Sequence, residues 1–280
     1  MRSILSRSLI AVGVWLMLPM GALPLTRADE PLTVMKTPGG REFALLGKKP
    51  SSPAPTLFVF ANTFANSLTS DDYNKVGKLL AEHGVLSVAF DLPCHGAQRR
   101  DGEPDGLDGW RARLDKGENP IQELCRDAQA VLDHLIAQGY TNPERIAACG
   151  TSRGGFAALH FAASDPRVRC VAAFAPVTDL PVLREFQGMS AETARMLGAV
   201  SLADRLCEQP VWLIIGPHDE RVGTDATVAV ARAINLAAVA RKKLAQVELH
   251  VQPSEGHRTP KSGHADAAIW LARQLELAAP

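Results

Sequence analysis

The 280-residue sequence lacks the features that mark several large classes of protein. It has no internal repeat, no low-complexity tract and no block of like charge, which excludes a repeat array or a long charged tail. Its 30 basic and 30 acidic residues balance each other, so nucleic acid is a poor candidate partner. The five cysteines form no CxxC pair, which argues against a zinc site or a dense disulfide framework, although one disulfide stays possible.

Two common cofactor motifs are also missing. No HExxH pair of zinc-binding histidines is present, and Gly40 and Gly47 before Lys48 have the wrong spacing for a phosphate-binding loop. We therefore expect the protein to work without a metal or an organic cofactor.

The only long apolar run lies at the N-terminus, where it predicts a signal peptide over residues 1–28. A basic start is followed by the apolar segment 9–23, and Ala28 ends a plausible cleavage site. The alternative is an uncleaved membrane anchor, but Pro19 and Gly21 interrupt a run that is already short for a bilayer. We expect export to the periplasm or the medium, with no stable membrane span after processing.

The rest of the chain, residues 29–280, alternates strand-like and helical patterns and predicts one α/β catalytic domain. Residues 31–47 read as a hairpin, which predicts an antiparallel edge to a mostly parallel central sheet with helices on both faces. The predicted later strands are 56–61, 86–91, 145–149, 170–175, 211–216 and 247–252. The predicted helices are 71–83, 120–139, the segment after 152, 225–237 and 264–277, with a polar loop before the first of them.

Two segments interrupt this alternation and are long for simple connections. They are the polar, turn-rich stretch 94–119 and the stretch 177–207, which we expect to form short helices. Both are long enough to cover a site. Arg153, Trp110, Arg111 and Phe186 are candidates to face that site, with surface salt bridging or packing as the default alternative for each.

The stretch "GTSRGG" places Ser152 between a predicted strand and a predicted helix. A G-x-S-x-G turn holds its serine on a sharp corner, and its neighbours must be small because strand and helix pass so close. The turn exposes the hydroxyl and leaves the N–H of Arg153 free to meet a developing negative charge. The competing interpretation is a glycine-rich helix start with a capping serine.

A base and an acid follow at the carboxyl ends of later strands. Asp219 lies in "GPHDERV" and His257 in "PSEGHRTP". Because parallel strands end at one edge of a sheet, both residues can meet Ser152 there. For the acid, Glu220 and Asp225 remain alternatives. For the base, the competing histidine is His264, which we expect to pack or cap at the start of the last helix; His218 and His95 read as loop residues.

On "GTSRGG", "FDLPCHG", "GPHDERV" and "EGHR", the chain resembles the α/β-hydrolase superfamily over about residues 31–280. It is most similar to the branch of prolyl-oligopeptidase-type domains and dienelactone-hydrolase-like esterases. The resemblance implies Ser152 as nucleophile, His257 as general base and acid, and Asp219 as the residue that orients the imidazole.

One departure concerns the oxyanion hole, the pair of N–H donors that binds the developing negative charge. Such enzymes often carry His-Gly after the third strand, whereas this chain has Asn62-Thr63 in "FANTFANSL". The Phe64 N–H is our candidate for the second donor beside Arg153 N–H, with Thr63 as the runner-up.

These observations predict an exported serine hydrolase that cleaves carboxylic esters of small acyl substrates through an acyl-enzyme. A small-peptide serine peptidase or amidase of the prolyl oligopeptidase type is the first alternative. The second is a catalytically silent binding protein on the same scaffold.

Overall fold

An eight-stranded sheet organises the protein. The computed structural model describes residues 31–277, so the predicted signal peptide lies outside the described residues and stays a prediction. The strands are β1 Leu32–Lys36, β2 Glu42–Leu46, β3 Ala54–Phe60, β4 Leu86–Ala89, β5 Thr141–Thr151, β6 Val168–Phe174, β7 Val211–Ile215 and β8 Val247–Val251.

The strand order across the sheet is β1-β2-β4-β3-β5-β6-β7-β8. The first two strands form the predicted antiparallel hairpin, and β2 pairs antiparallel with β4. Every pairing from β4 to β8 is parallel. The carboxyl ends of β3 to β8 therefore share one edge of the sheet, where polar side chains from distant parts of the sequence can meet.

Helices cover both faces of the sheet, and two of them were not expected from the sequence. The α-helices are α1 Phe64–Thr69, α2 Asp71–Leu80, α3 Gly106–Asp115, α4 Pro120–Ala137, α5 Arg153–Ser164, α6 Ala191–Leu197, α7 Ala203–Leu206, α8 Thr224–Ala240 and α9 Gly263–Gln274. Short 3₁₀ helices cover Ala81–His83, Gly96–Gln98, Leu180–Val182, Arg184–Phe186 and Ala199–Leu202. Helix α1 replaces part of the predicted polar loop, and helix α3 lies in the stretch 94–119 that the sequence predicts only as turn-rich. Between residues 31 and 277, no helix is long and apolar enough to span a bilayer.

The continuous apolar strands bury side chains on both sides of the sheet. In β3, Phe58 and Phe60 join the core on the α4–α5 side, while Leu57 and Val59 join the core on the α2–α9 side. Because successive side chains of a strand point to opposite faces, a strand covered on both faces needs an unbroken apolar run. Burying each such side chain stabilises the fold by about 1.5–3 kcal/mol.

A buried arginine fixes the long segment 94–119 to the rest of the fold. Arg113 is 1% exposed, and its guanidinium binds both carboxylate oxygens of Glu103 at 2.6 and 2.9 Å. It also donates to Glu123 of α4 at 2.7 Å and to the carbonyl of Gln98 at 2.9 Å. A guanidinium bound by two carboxylates and a carbonyl is well compensated for its loss of water, so this segment has a defined position next to α4.

Replacing Arg113 by methionine should lower the free energy of unfolding by about 3–5 kcal/mol at neutral pH, because two carboxylates lose their partner. The hydrogen bonds from Arg113 hold the pKa of Glu103 at about 2, below its ordinary 4.5. A carboxyl whose pKa is lowered by folding stabilises the protein above its ordinary pKa, and this stabilisation disappears as the pH falls towards the folded value.

The difference in unfolding free energy between wild type and Arg113→Met, measured in urea, should thus be largest above about pH 5 and shrink towards pH 2. Arg100→Met is the matched control, since the Arg100 side chain binds the exposed Glu118, while its backbone N–H, which donates to Glu103, is kept in the variant; loss of the side chain should cost less than about 1 kcal/mol. A difference that does not change with pH would contradict the role given to Glu103.

Candidate active site

The turn between β5 and α5 holds Ser152 in a strained backbone conformation. Its φ of 57° and ψ of −118° lie outside the regions that non-glycine residues favour. The neighbouring chain fixes this geometry: Ser152 N donates to Phe174 O at 2.9 Å, and Ser152 O accepts from Val177 N at 3.0 Å. Strain of this kind costs about 1–3 kcal/mol and persists only where the surroundings enforce it.

Two glycines make the sharp turn possible. A Cβ atom on Gly154 would lie 1.8 Å from the carbonyl oxygen of Phe60, and one on Gly150 would lie 2.2 Å from the carbonyl oxygen of Gly154. Both obstacles are backbone atoms, which cannot move aside as a flexible side chain can. The start of α5 therefore packs directly on the end of β3, as the G-x-S-x-G spacing predicts.

The structure brings Ser152, His257 and Asp219 together in one hydrogen-bonded chain. Ser152 Oγ lies 2.8 Å from His257 Nε2, and His257 Nδ1 lies 2.8 Å from Asp219 Oδ2. The Asp219 side chain is fully buried, and its Oδ1 accepts backbone hydrogen bonds from Arg221 at 3.1 Å and Val222 at 3.2 Å. A carboxylate can only accept, so His257 Nδ1 carries the proton and Nε2 is left to accept from the serine hydroxyl.

The alternative acids and bases lie elsewhere. Glu220 and Asp225 are exposed, and so is His218. His264 packs against Phe174 with ring centroids 4.7 Å apart, and burial lowers the pKa of its imidazole to about 4. This packing is what the sequence predicts for His264.

The structure does not support Phe64 as an oxyanion donor, which corrects the expectation from the sequence. Phe64 N already donates to Asp91 Oδ1 at 2.8 Å, because Phe64 begins α1 and the carboxylate caps this helix end. The runner-up, Thr63 N, donates to Asn62 Oδ1 at 2.7 Å. The second oxygen of Asp91 accepts from Ala97 N at 2.9 Å, so Asp91 ties the two loops together.

Two other donors remain beside Ser152. Arg153 is the first residue of α5, so its N–H has no acceptor one turn earlier in the helix. Asn62 lines the same cleft as Ser152 and His257. Because Asn62 Oδ1 faces the N–H of Thr63, the other end of the carboxamide, Nδ2, is available as a donor. The sequence signal for Asn62 is its position after β3, where the resemblance to α/β hydrolases leads us to expect His-Gly.

Ser152 opens into a cleft of about 570 Å³. Its lining includes Ala61, Asn62, Tyr73, Lys75, Ser152, Arg153, His257, Arg258, Lys261 and His264. Of the four candidates to face the site, Trp110, Arg111 and Phe186 instead pack or form surface hydrogen bonds. Trp110 and Phe186 are fully buried in the core, and Arg111 binds Asp115 and the carbonyl of Gln187.

The strand order of the sheet, with a serine at a strand–helix turn beside the carboxyl edge, is that of the α/β hydrolases. The protein is a serine hydrolase. Residues 110–278, more than half of the chain, match the prolyl oligopeptidase family, so the chain belongs to that family.

Three similar proteins illustrate the range of this group. The chain is 24% identical to a protein of Aquifex aeolicus (strain VF5) that is named as a carboxymethylenebutenolidase, over 66% of this chain and 70% of that one. It is 26% identical to Esterase YjfP of Escherichia coli (strain K12), over 82% of this chain and 92% of that one. Among solved structures, a puromycin-hydrolysing peptidase of Mycobacterium tuberculosis is similar in fold, with a TM-score of 0.65 and 16% identity, over 92% of this chain and 42% of that one.

Proposed function

We propose that the protein hydrolyses carboxylic esters through a Ser152 acyl-enzyme, with His257 as general base and acid and Asp219 as the orienting acid. The observation that carries this proposal is the pair of 2.8 Å hydrogen bonds that joins the three side chains. Asp219 fixes the tautomer in which His257 Nε2 can accept a proton. A serine hydroxyl is a weak nucleophile, and this arrangement supplies the base that it needs.

In the first half of the reaction, Ser152 Oγ attacks the acyl carbonyl carbon while its proton passes to His257 Nε2. The tetrahedral intermediate collapses, the C–O bond to the alcohol breaks, and His257 returns the proton to the leaving oxygen. In the second half, water is activated by the same imidazole and releases the acid from Ser152. The buried Asp219 carboxylate stabilises the imidazolium that forms in both halves.

The negative charge on the carbonyl oxygen needs two donors, and we assign them to Arg153 N–H and Asn62 Nδ2. The first is the free N–H at the start of α5, where the helix dipole also favours negative charge. The second is a side-chain amide held in place by the bond between its Oδ1 and Thr63 N. This assignment replaces the backbone N–H of Phe64, which Asp91 occupies.

Esters are favoured over peptides by the similarity to Esterase YjfP, which extends over 82% of this chain and 92% of the relative. Membership of the prolyl oligopeptidase family keeps a small-peptide peptidase or amidase as the second candidate. The same chain of Ser152, His257 and Asp219 serves both reactions, since each passes through an acyl-enzyme.

A fluorophosphonate probe should label the purified protein at Ser152, because a base-activated serine attacks phosphorus as it attacks an acyl carbon. Ser152→Ala should abolish labelling, whereas Ser164→Ala, at the other end of α5, should label like the wild type. A panel of 4-nitrophenyl esters and aminoacyl 4-nitroanilides should show faster turnover of the esters. An unlabelled but folded wild type would support a silent binding protein, and faster anilide turnover would support a peptidase.

Asp219→Asn should lower kcat by about 10⁴-fold while the protein stays folded. The asparagine keeps an oxygen for the N–H groups of Arg221 and Val222, but its NH₂ would face His257 and favour the tautomer that cannot accept the serine proton. Steady-state kinetics with a 4-nitrophenyl ester measures the effect. Asp225→Asn, at an exposed carboxylate nearby, is the control and should keep kcat within about twofold; near-normal turnover of Asp219→Asn would refute the assignment.

Asn62→Asp should lower kcat by about 10²- to 10³-fold, because it removes an oxyanion donor and places a negative oxygen near the developing charge. The aspartate keeps an acceptor for Thr63 N–H, so the loop should retain its conformation. Asn66→Asp makes the same chemical change on the exposed side of α1 and should have little effect. Equal kcat values for Asn62→Asp and wild type would remove Asn62 from the oxyanion hole.

A further inference from the structure

The side chain next to the nucleophile is a cation without an anionic partner. Arg153 lines the same cleft as Ser152 and is half-buried. Its one side-chain hydrogen bond within residues 31–277 runs from Nη1 to the neutral ring of His95, at 2.9 Å. Nε and Nη2 have no partner there and are not enclosed, so both remain accessible to a ligand.

Other arginines of this protein with buried or partly buried side chains are paired with carboxylates. Arg113 binds Glu103 and Glu123, Arg167 binds Asp165 and Asp133, and Arg221 binds Glu185 through two nitrogens. Pairing of this kind is the usual compensation for a guanidinium that loses water. Arg153 carries the cost of partial burial without it, and burial lowers the pKa of its guanidinium.

Acidic groups near Arg153 are engaged elsewhere or point to solvent. Both oxygens of Glu185 are bound by Arg221, at 2.7 and 2.9 Å. Asp105 is exposed at the start of α3, and Asp71 on the cleft wall is bound by Lys78. The counter-charge for Arg153 is thus missing from the described part of the chain.

His95 holds the guanidinium in one orientation. The imidazole is buried, and its Nδ1 lies 2.9 Å from Pro93 O, a group that can only accept, so Nδ1 carries the proton. Nε2 is then an acceptor for Arg153 Nη1. Burial lowers the pKa of His95, which keeps this nitrogen unprotonated at neutral pH. A Cβ atom on Gly106 would lie 3.0 Å from Arg153 Nη1 and would crowd the guanidinium, and the φ of 63° at this position also favours glycine.

The other charged residues that line the cleft also carry a net positive charge. The cleft lining includes Lys75, Arg258 and Lys261, against the acids Asp71 and Asp72. Lys75, Arg258 and Lys261 are exposed and contribute a general positive field, whereas the Arg153 guanidinium is held by its hydrogen bond to His95. A fixed guanidinium with two free N–H donors fits a planar carboxylate better than a mobile ammonium does.

We propose that Arg153, positioned by His95, binds a carboxylate of the substrate, so that the preferred substrates are esters that carry a second, ionised acid group. This inference rests on the proposed ester hydrolysis and names its substrate class. The acid group sits on either the acyl or the alcohol side of the ester, and the test separates the two.

The test compares each acidic ester with its neutral methyl ester. Mono-4-nitrophenyl adipate and 4-nitrophenyl methyl adipate place the difference on the acyl side, and 3-acetoxybenzoate and methyl 3-acetoxybenzoate place it on the alcohol side. In at least one pair, the wild type should show a kcat/KM about 10- to 100-fold higher for the acid, the range expected for a charge-assisted hydrogen bond. A preference for the neutral ester in both pairs would overturn the inference.

Variants then assign the preference to named side chains. Arg153→Met should reduce the acid-to-neutral ratio of kcat/KM by about 10- to 100-fold. Lys75→Met removes the same charge from an exposed position of the cleft and should change the ratio less than about threefold. His95→Leu should reduce the ratio as Arg153→Met does, and His95→Gln, which keeps an acceptor, should restore part of it. A ratio that is equal in wild type and Arg153→Met would refute the role of Arg153.

A binding measurement separates failure of this inference from failure of ester hydrolysis. Calorimetric titration of Ser152→Ala with monomethyl adipate and dimethyl adipate needs no turnover. Tighter binding of the monoester, lost in the double variant with Arg153→Met, would support the carboxylate site even if no ester were cleaved. Equal binding of the two compounds by Ser152→Ala would overturn it even if neutral esters were good substrates.

Discussion

The close approach of α5 to the end of β3 is the constraint on which the geometry around Ser152 depends. Gly154 lies so near the carbonyl of Phe60 that no side chain fits between them, and the chain must turn sharply at Ser152. The turn places the serine at a positive φ, and bonds to Phe174 and Val177 keep it there. The strain is local, whereas the packing that enforces it extends through the centre of the sheet.

Two aspartates perform similar tasks at the carboxyl edge of that sheet. Asp91, just after β4, accepts hydrogen bonds from Phe64 N and Ala97 N and so fixes two loops. Asp219, after β7, accepts from Arg221 N and Val222 N with one oxygen, which leaves the other for His257. A carboxylate can satisfy several loop N–H groups at once, which makes it suited to ordering loops at strand ends.

Arg113 and Arg153 have different roles: the first stabilises the fold, and the second lies at the cleft with unused hydrogen-bond donors. Arg113 is deeply buried with its carboxylate partners, and it secures the segment 94–119 on α4. Arg153 is held by a neutral imidazole and leaves two donors unused at the cleft. The carboxylates around Arg113 compensate its guanidinium for the loss of water within the folded chain itself. The Arg153 guanidinium is fully compensated only when an anion binds, as is typical of groups that bind a ligand.

The order of the strands and of the long helices α2, α4, α5, α8 and α9 follows from the sequence, because apolar runs and helix caps depend on neighbours along the chain. Asn119 caps α4 as its pattern predicts, and the hairpin at 31–47 forms the antiparallel edge. The glycine spacing around Ser152 likewise indicates the sharp turn, and the strand pattern indicates that Asp219 and His257 can reach the same edge.

Only the tertiary structure decided which donors near Ser152 are free. Helix α1 has six residues, and part of its N-terminal capping comes from Asp91, 27 residues away in the chain; the same bond removes Phe64 from the oxyanion hole. The contact between Arg153 and His95 joins residues 58 positions apart. Pattern and propensity describe neighbours in sequence, whereas the partner of a particular N–H group depends on how distant loops pack against each other.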